Sequence, residues 1–128
     1  MSERNTNASA ALYSFFSGFD IEAFPENVVP DDVELPYITY EASTPPVWAT
    51  VSMRAHVYFR SSAYWSVLGI VDRIYDAIGP GGIVLPFDGG ALWLYRDDNV
   101  KFMQLQSPPG DPYLKDAYLT MLMQIVSE

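Results

Sequence analysis

Apolar and polar positions alternate most cleanly between Val47 and Arg60. Ala49, Val51, Met53, Ala55, Val57 and Phe59 take turns there with Thr50, Ser52, Arg54, His56, Tyr58 and Arg60. A period of two sends one set to a core face and the other to a polar face, which predicts a half-buried strand. At about 14 residues it exceeds the usual strand length, so it should bend or project beyond its neighbours. The period then changes: Trp65, Leu68, Val71, Ile74, Tyr75 and Ile78 recur at three and four. This predicts an amphipathic helix with Ser61 or Ser62 as its N-cap and Gly79-Pro80-Gly81-Gly82 as its stop. Burying Trp65, Leu68, Val71 and Ile78 at about 1.5–3 kcal/mol per side chain would make it the main helix against the sheet.

Earlier in the chain, Leu12, Phe15, Phe16 and Phe19 fall on one helical face, predicting a short helix from Ala8 to Gly18. Residues 1–7 are polar and aperiodic and read as a frayed, disordered end. Residues 20–36 contain Pro25, Pro30 and Pro36, whose fixed φ and missing N–H groups predict an extended acidic loop. Leu35 to Glu41 is rich in β-branched and aromatic residues and reads as a strand closed by Thr44-Pro45-Pro46. Three short strands follow at Ile83–Phe87, Ala91–Arg96 and Val100–Gln106, separated by Asp88-Gly89-Gly90 and Asp97-Asp98-Asn99. A meander is the simplest arrangement, and Pro86 places the first of these strands at an edge or a strand end. After the Pro-rich loop at 107–112, Tyr113 to Val126 fits a helix or a strand equally well by period.

These elements define an α+β fold: an antiparallel, mixed-order sheet of about five to six strands packed by one main amphipathic helix and a short N-terminal helix. With 128 residues, 49% of them hydrophobic and 18% charged, the chain predicts a single ordered domain over residues 1–128. The absence of cysteine excludes disulfides and thiolate chemistry, and a lone histidine leaves little for a zinc site. No apolar run approaches a membrane span and the N-terminus lacks a signal-peptide pattern, which favours a cytoplasmic origin. No cofactor is expected.

A net charge of −9 disfavours binding to nucleic acid or to anionic membrane. Its distribution says more than its sum. Residues 20–41 hold Asp20, Glu22, Glu26, Asp31, Asp32, Glu34 and Glu41 with no Lys or Arg, whereas Arg54, Arg60 and Arg73 cluster near the polar face of the long strand. Complementary charge of this kind either orients neighbouring copies head to tail or pairs within one subunit. The pairs Asp31-Asp32 and Asp97-Asp98 read as solvated turn charges, not as an acid and base couple. His56, beside Arg54 and Arg60, is expected to have a lowered pKa and no orienting carboxylate, as a surface or interface residue. No hydrolase, phosphate-loop, zinc or EF-hand motif is present. Candidate interface residues are therefore Arg54, His56, Tyr58 and Arg60 on the strand face, with Asp31, Asp32 and Glu34 in the acidic loop.

The order of features resembles the small tail terminator, or tail-completion, proteins of long-tailed bacteriophages. The likeness runs over most of residues 9–126. It rests on a short helix, a Pro-rich acidic loop leading into Leu35–Glu41 (LPYITYE), a long strand ending in Arg60-Ser61-Ser62 and an amphipathic helix. A meander over Leu85–Arg96 and a terminal segment opening with Asp111–Leu119 complete it. The resemblance implies a terminal strand, no catalysis, and a ring, typically a hexamer, in the virion. That ring would sit on the head-proximal end of the tail, touching other copies of itself, the tail tube protein and a head-completion or neck protein. DNA would pass through an acidic lumen without specific binding, and no membrane would be involved. The alternatives are a head-completion or connector protein of the same neck, or a small monomeric protein-binding adaptor.

Overall fold

The computed structural model describes residues 4–41 and 48–127. The expected turn at Thr44-Pro45-Pro46, residues 1–3 and the expected start of the long strand at Val47 lie outside them. The elements are α1 (Arg4–Phe16), a 3₁₀ turn (Ser17–Phe19), β1 (Glu22–Pro25), β2 (Tyr37–Tyr40), β3 (Thr50–Arg60), a second 3₁₀ turn (Ser61–Ala63) and α2 (Tyr64–Ile78). The chain then forms β4 (Ile83–Phe87), β5 (Gly90–Arg96), β6 (Met103–Gln106) and β7 (Leu114–Ser127). Among the described residues the seven strands form one mixed sheet in the order β1-β2-β3-β7-β5-β4, with β6 also on β7. The protein is thus of the α+β class, as its hydrophobic periods predict.

The last segment is a strand, and it is the centre of the sheet. Along one side β7 pairs antiparallel with the whole of β3, from Thr50 opposite Gln124 to Arg60 opposite Leu114. Since β7, at 14 residues, is longer than β3, at 11, β3 does not project beyond its neighbour. On its other side β7 pairs first with β5, down to Arg96 opposite Met121, and then with β6 from Met103 opposite Leu119. The expected three-strand meander is therefore replaced by a β4–β5 hairpin and a β6 that continues the line of β5. Residues 97–102 loop out between them, held by the Asp97 carboxylate accepting from the Asn99 N–H and by Thr120 N–H donating to the Phe102 carbonyl. Asp97-Asp98-Asn99 does turn the chain, but it returns to the same partner strand instead of reversing beside β5.

Both helices cover one face of this sheet. Leu12 and Phe16 of α1, and Val67, Val71, Ile74 and Ile78 of α2, are buried with Ile38, Met53, Ala55, Val57, Phe59 and the inward residues of β7. Phe16 stacks on Tyr40 with ring centroids 5.1 Å apart. In α2 the buried stripe is displaced from the expected one: Leu68 is half-buried, and Trp65 is 80% exposed. Six positions separate Trp65 from Val71, which at 3.6 residues per turn leaves its side chain about 120° round from the core. Neither Ser61 nor Ser62 caps α2, because the 3₁₀ turn consumes both and the N-cap position falls on Ala63.

The N-terminal half departs from expectation twice. Residues 4–7, expected to be frayed, form the first turn of α1, where Asn7 donates to the Asp88 carbonyl at the β4–β5 turn. The extended loop over 20–36 contains β1, which pairs parallel with β2 from Glu22 opposite Tyr37 to Pro25 opposite Tyr40. Ala23 is buried there, and Pro25 ends the strand, where a missing N–H costs least. As expected from Pro86, β4 lies at an edge of the sheet.

Gly82 marks the tightest approach in the fold. Its φ is +83°, and a Cβ there would lie 2.5 Å from Trp93 Nε1 and 2.8 Å from the Leu94 carbonyl oxygen. Trp93 in turn donates to the Gly81 carbonyl at 3.1 Å and stacks on Tyr95. Gly82→Ala should therefore cost about 2–4 kcal/mol, combining left-handed backbone strain with overpacking. A lowered urea midpoint with an unchanged slope is the expected result.

Candidate functional site

The helices leave the second face of the sheet uncovered, and the candidate strand residues all stand on it. Alternation along β3 puts Met53, Ala55, Val57 and Phe59 in the core, so Arg54, His56, Tyr58 and Arg60 share the opposite face. Pairing then sets Tyr37 and Asp116 on either side of Tyr58, and Thr39 and Tyr118 on either side of His56. Gln104 and Gln106 extend the face across β6.

Asp116 is the organising group. Only 2% exposed, it accepts from His56 Nδ1 at 2.8 Å and from Gln106 Nε2 at 2.7 Å. A buried carboxylate is tolerated when donors of this kind satisfy it. The His56 ring is flanked by Tyr58, stacked at 5.7 Å, and by Tyr118, edge-on at 5.2 Å. The Arg54 guanidinium lies over the Tyr118 ring at 5.2 Å, and Tyr37 packs on Tyr58 at 5.3 Å. The Asp116 hydrogen bond raises the His56 pKa above 6.5; burial opposes it, and the charges of Asp116, Glu26 and Glu41 add to the rise. The expected lowering by Arg54 and Arg60 is thus reversed, because β7 supplies the orienting carboxylate that neighbours in sequence do not. Burial, then the nearby Asp116 charge, pushes the Tyr37 and Tyr58 phenols up.

Two of the clustered arginines pair within the subunit. Arg60 is bound to the Asp111 carboxylate and Arg73 to Asp20 at 3.0 Å, so two of the three clustered arginines are tied to acids of their own chain. The Arg60 hydrogen bond and two backbone N–H groups hold the Asp111 carboxyl below its ordinary pKa, the Tyr113 N–H contributing most. Asp31, Asp32 and Glu34 are exposed, and among the described residues no hydrogen bond or ion pair joins them to the strand face. The structure therefore separates the candidate residues into two places. Asp116, Gln106 and Tyr118 belong to the strand-face cluster and were not singled out from the sequence. A visible signal existed in Asp116, the one acid between Leu114 and Ser127, but choosing it required the register of β7 on β3.

A carboxylate-oriented imidazole is part of a general-base arrangement, which also needs a nucleophile on the other ring nitrogen. Among the described residues no hydroxyl is hydrogen-bonded to His56, and tyrosine rings flank it instead. No group of three or more potential metal ligands converges among the described residues, and no described helix is long and apolar enough to cross a membrane. The arrangement presents a rigid aromatic and polar surface, of the composition found at protein interfaces.

No protein-family model matches the chain, and no curated protein does. One solved chain, whose name states no function, shares its fold with a TM-score of 0.63 at 10% identity, over 100% of this chain and 98% of that one. At that identity the likeness establishes the fold alone.

The imidazole–carboxylate pair predicts a titration. A folded-state pKa above 6.5 means that the pair's contribution to stability is present just below pH 6.5 and fades as pH rises through the raised midpoint. In Asp116→Asn the main cause of the rise is gone while burial remains, so the His56 midpoint measured by NMR should fall below its wild-type value. A midpoint that stays high would remove Asp116 as the cause.

Proposed function

We propose that this chain is a structural ring protein of the head-proximal end of a long-tailed phage tail, ending growth of the tail tube and offering the surface on which the filled head docks. The observation that carries the reading is the sheet face without a helix over it, where Tyr37, Tyr58 and Tyr118 surround the buried His56–Asp116 pair. A sheet with one face left open in the protomer presents a large surface for another subunit or a neighbouring virion protein. The likeness in order of elements to tail terminator proteins supports the assignment to the tail end.

The charge supports it as well. With Asp31, Asp32 and Glu34 all exposed and a net charge of −9, a ring of such subunits repels DNA phosphates, so the genome passes without sticking. A head-completion or connector protein of the same neck would share these properties and differ in subunit number and stacking order. An adaptor would remain monomeric.

Native mass by light scattering, with negative-stain imaging across a wide concentration range and with or without millimolar Mg²⁺, tests the proposal. The expected result is a closed ring of about six subunits with a central hole, formed free or on purified tail tubes. A chain that stays monomeric at every concentration and does not bind tubes overturns it.

A further inference from the structure

Two open strand edges, those of β1 and β6, carry complementary features. At one edge lies β1, and the connection from β1 to β2 exposes Val28, 62% accessible, beside Asp31, Asp32 and Glu34. At the other side of the sheet β6 pairs only with β7, which leaves its outer edge open. Beside that edge is a groove of about 630 Å³ between the start of α2 and the end of β6. Phe59, Tyr64, Trp65 and Leu105 form its apolar walls, and Lys115 stands in it with the Ser61 and Ser62 hydroxyls close by.

Several features of this groove are out of place in an isolated subunit. Trp65 is 80% exposed and Leu105 47%, a costly display of apolar surface at one spot. The Lys115 ammonium donates to the Ser107 hydroxyl at 3.0 Å and has no carboxylate partner among the described residues, although acids outnumber bases sixteen to seven. No side chain caps the adjoining start of α2, and its first turn holds no acid. The groove therefore has apolar walls and a cation without an acidic partner among the described residues, and the loop beside β1 has an exposed aliphatic side chain among carboxylates that form no ion pair with the described residues.

We infer that the Trp65–Lys115 groove receives the Val28–Glu34 loop of a second copy of this chain. Val28 enters between Trp65 and Leu105, and Asp31 or Asp32 pairs with Lys115. The two surfaces differ and lie on different strand edges, so the contact is heterologous, the kind that generates a ring where its repeated rotation closes. This inference rests on the ring reading and specifies how the ring is joined. It also relocates the basic half of the interface, since Arg60 and Arg73 are already paired within the subunit.

Charge reversal tests it. Lys115→Glu, or Asp31→Lys with Asp32→Lys, should weaken assembly at least about tenfold, and combining the three substitutions should restore most of it. Each variant is first checked for an unchanged far-ultraviolet circular dichroism spectrum. An independent readout that needs no variant is carbodiimide cross-linking of mixed ¹⁴N and ¹⁵N wild-type chains, in solution or on tail tubes. Mixed-isotope links from Lys115 to Asp31, Asp32 or Glu34 are expected. Rings that form normally in all variants, a combined variant no better than either reversal, or rings without such links overturn the groove and leave the ring reading intact. A wild-type chain that assembles neither in solution nor on tubes overturns both.

Discussion

The pairing of β7 between β3 and the β5–β6 line is the interaction on which the rest of the structure depends. Ala117, Leu119, Met121, Met123 and Ile125 are each at most 1% exposed; the first four lie opposite Val57, Ala55, Met53 and Val51 of β3, and Ile125 lies opposite Leu92 of β5. At about 1.5–3 kcal/mol for each large side chain, this strip supplies a major part of the driving force before conformational entropy is subtracted. Its partners come from the middle of the chain and β7 from the end, so the core cannot close until the whole sequence is available. Topologies dominated by such distant contacts fold more slowly than local ones.

The same ladder builds the functional face. Alternation along β7 that sends Ala117 and Leu119 inward sends Asp116 and Tyr118 outward, and the register delivers them beside Tyr58 and His56. The carboxylate is tolerated in a nearly inaccessible position because two donors converge on it, one from β3 and one from β6. A slip of one residue would move Asp116 into the apolar core and leave it without those donors, so the polar cluster also enforces the register. Stability and surface chemistry are therefore two consequences of one pairing.

A contrast between the face and the edges organises the proposed function. Internal pairing makes the strand face rigid: Arg54 is engaged with Tyr118, His56 with Asp116 and Arg60 with Asp111. Among the described residues the charges of the Val28–Glu34 connection and of the Trp65–Lys115 groove have no ion-pair partner, and apolar groups stand exposed beside them. Preorganised faces suit docking to a partner of fixed shape, and unmatched edges suit lateral joining of identical subunits.

Local pattern alone determined the α+β class, the half-buried strand ending at Arg60, the helix stopped at Gly79 and the β4–β5 hairpin, and Pro86 narrowed β4 to a sheet edge or a strand end. In each case the deciding physics acts within a few residues: side-chain period, turn backbone preference, or a missing N–H. Tertiary structure alone decided that the last segment is a strand, since its leucines and methionines fit either period and only the waiting edges of β3 and β5 select the extended form. It likewise decided that β6 continues β5, that Glu22–Pro25 joins the sheet, and that Trp65 faces outward, because each depends on which surface is left to pair. The His56 environment belongs to the same group: Asp116 lies sixty positions away in sequence, and only the β3–β7 register brings its carboxylate to the imidazole.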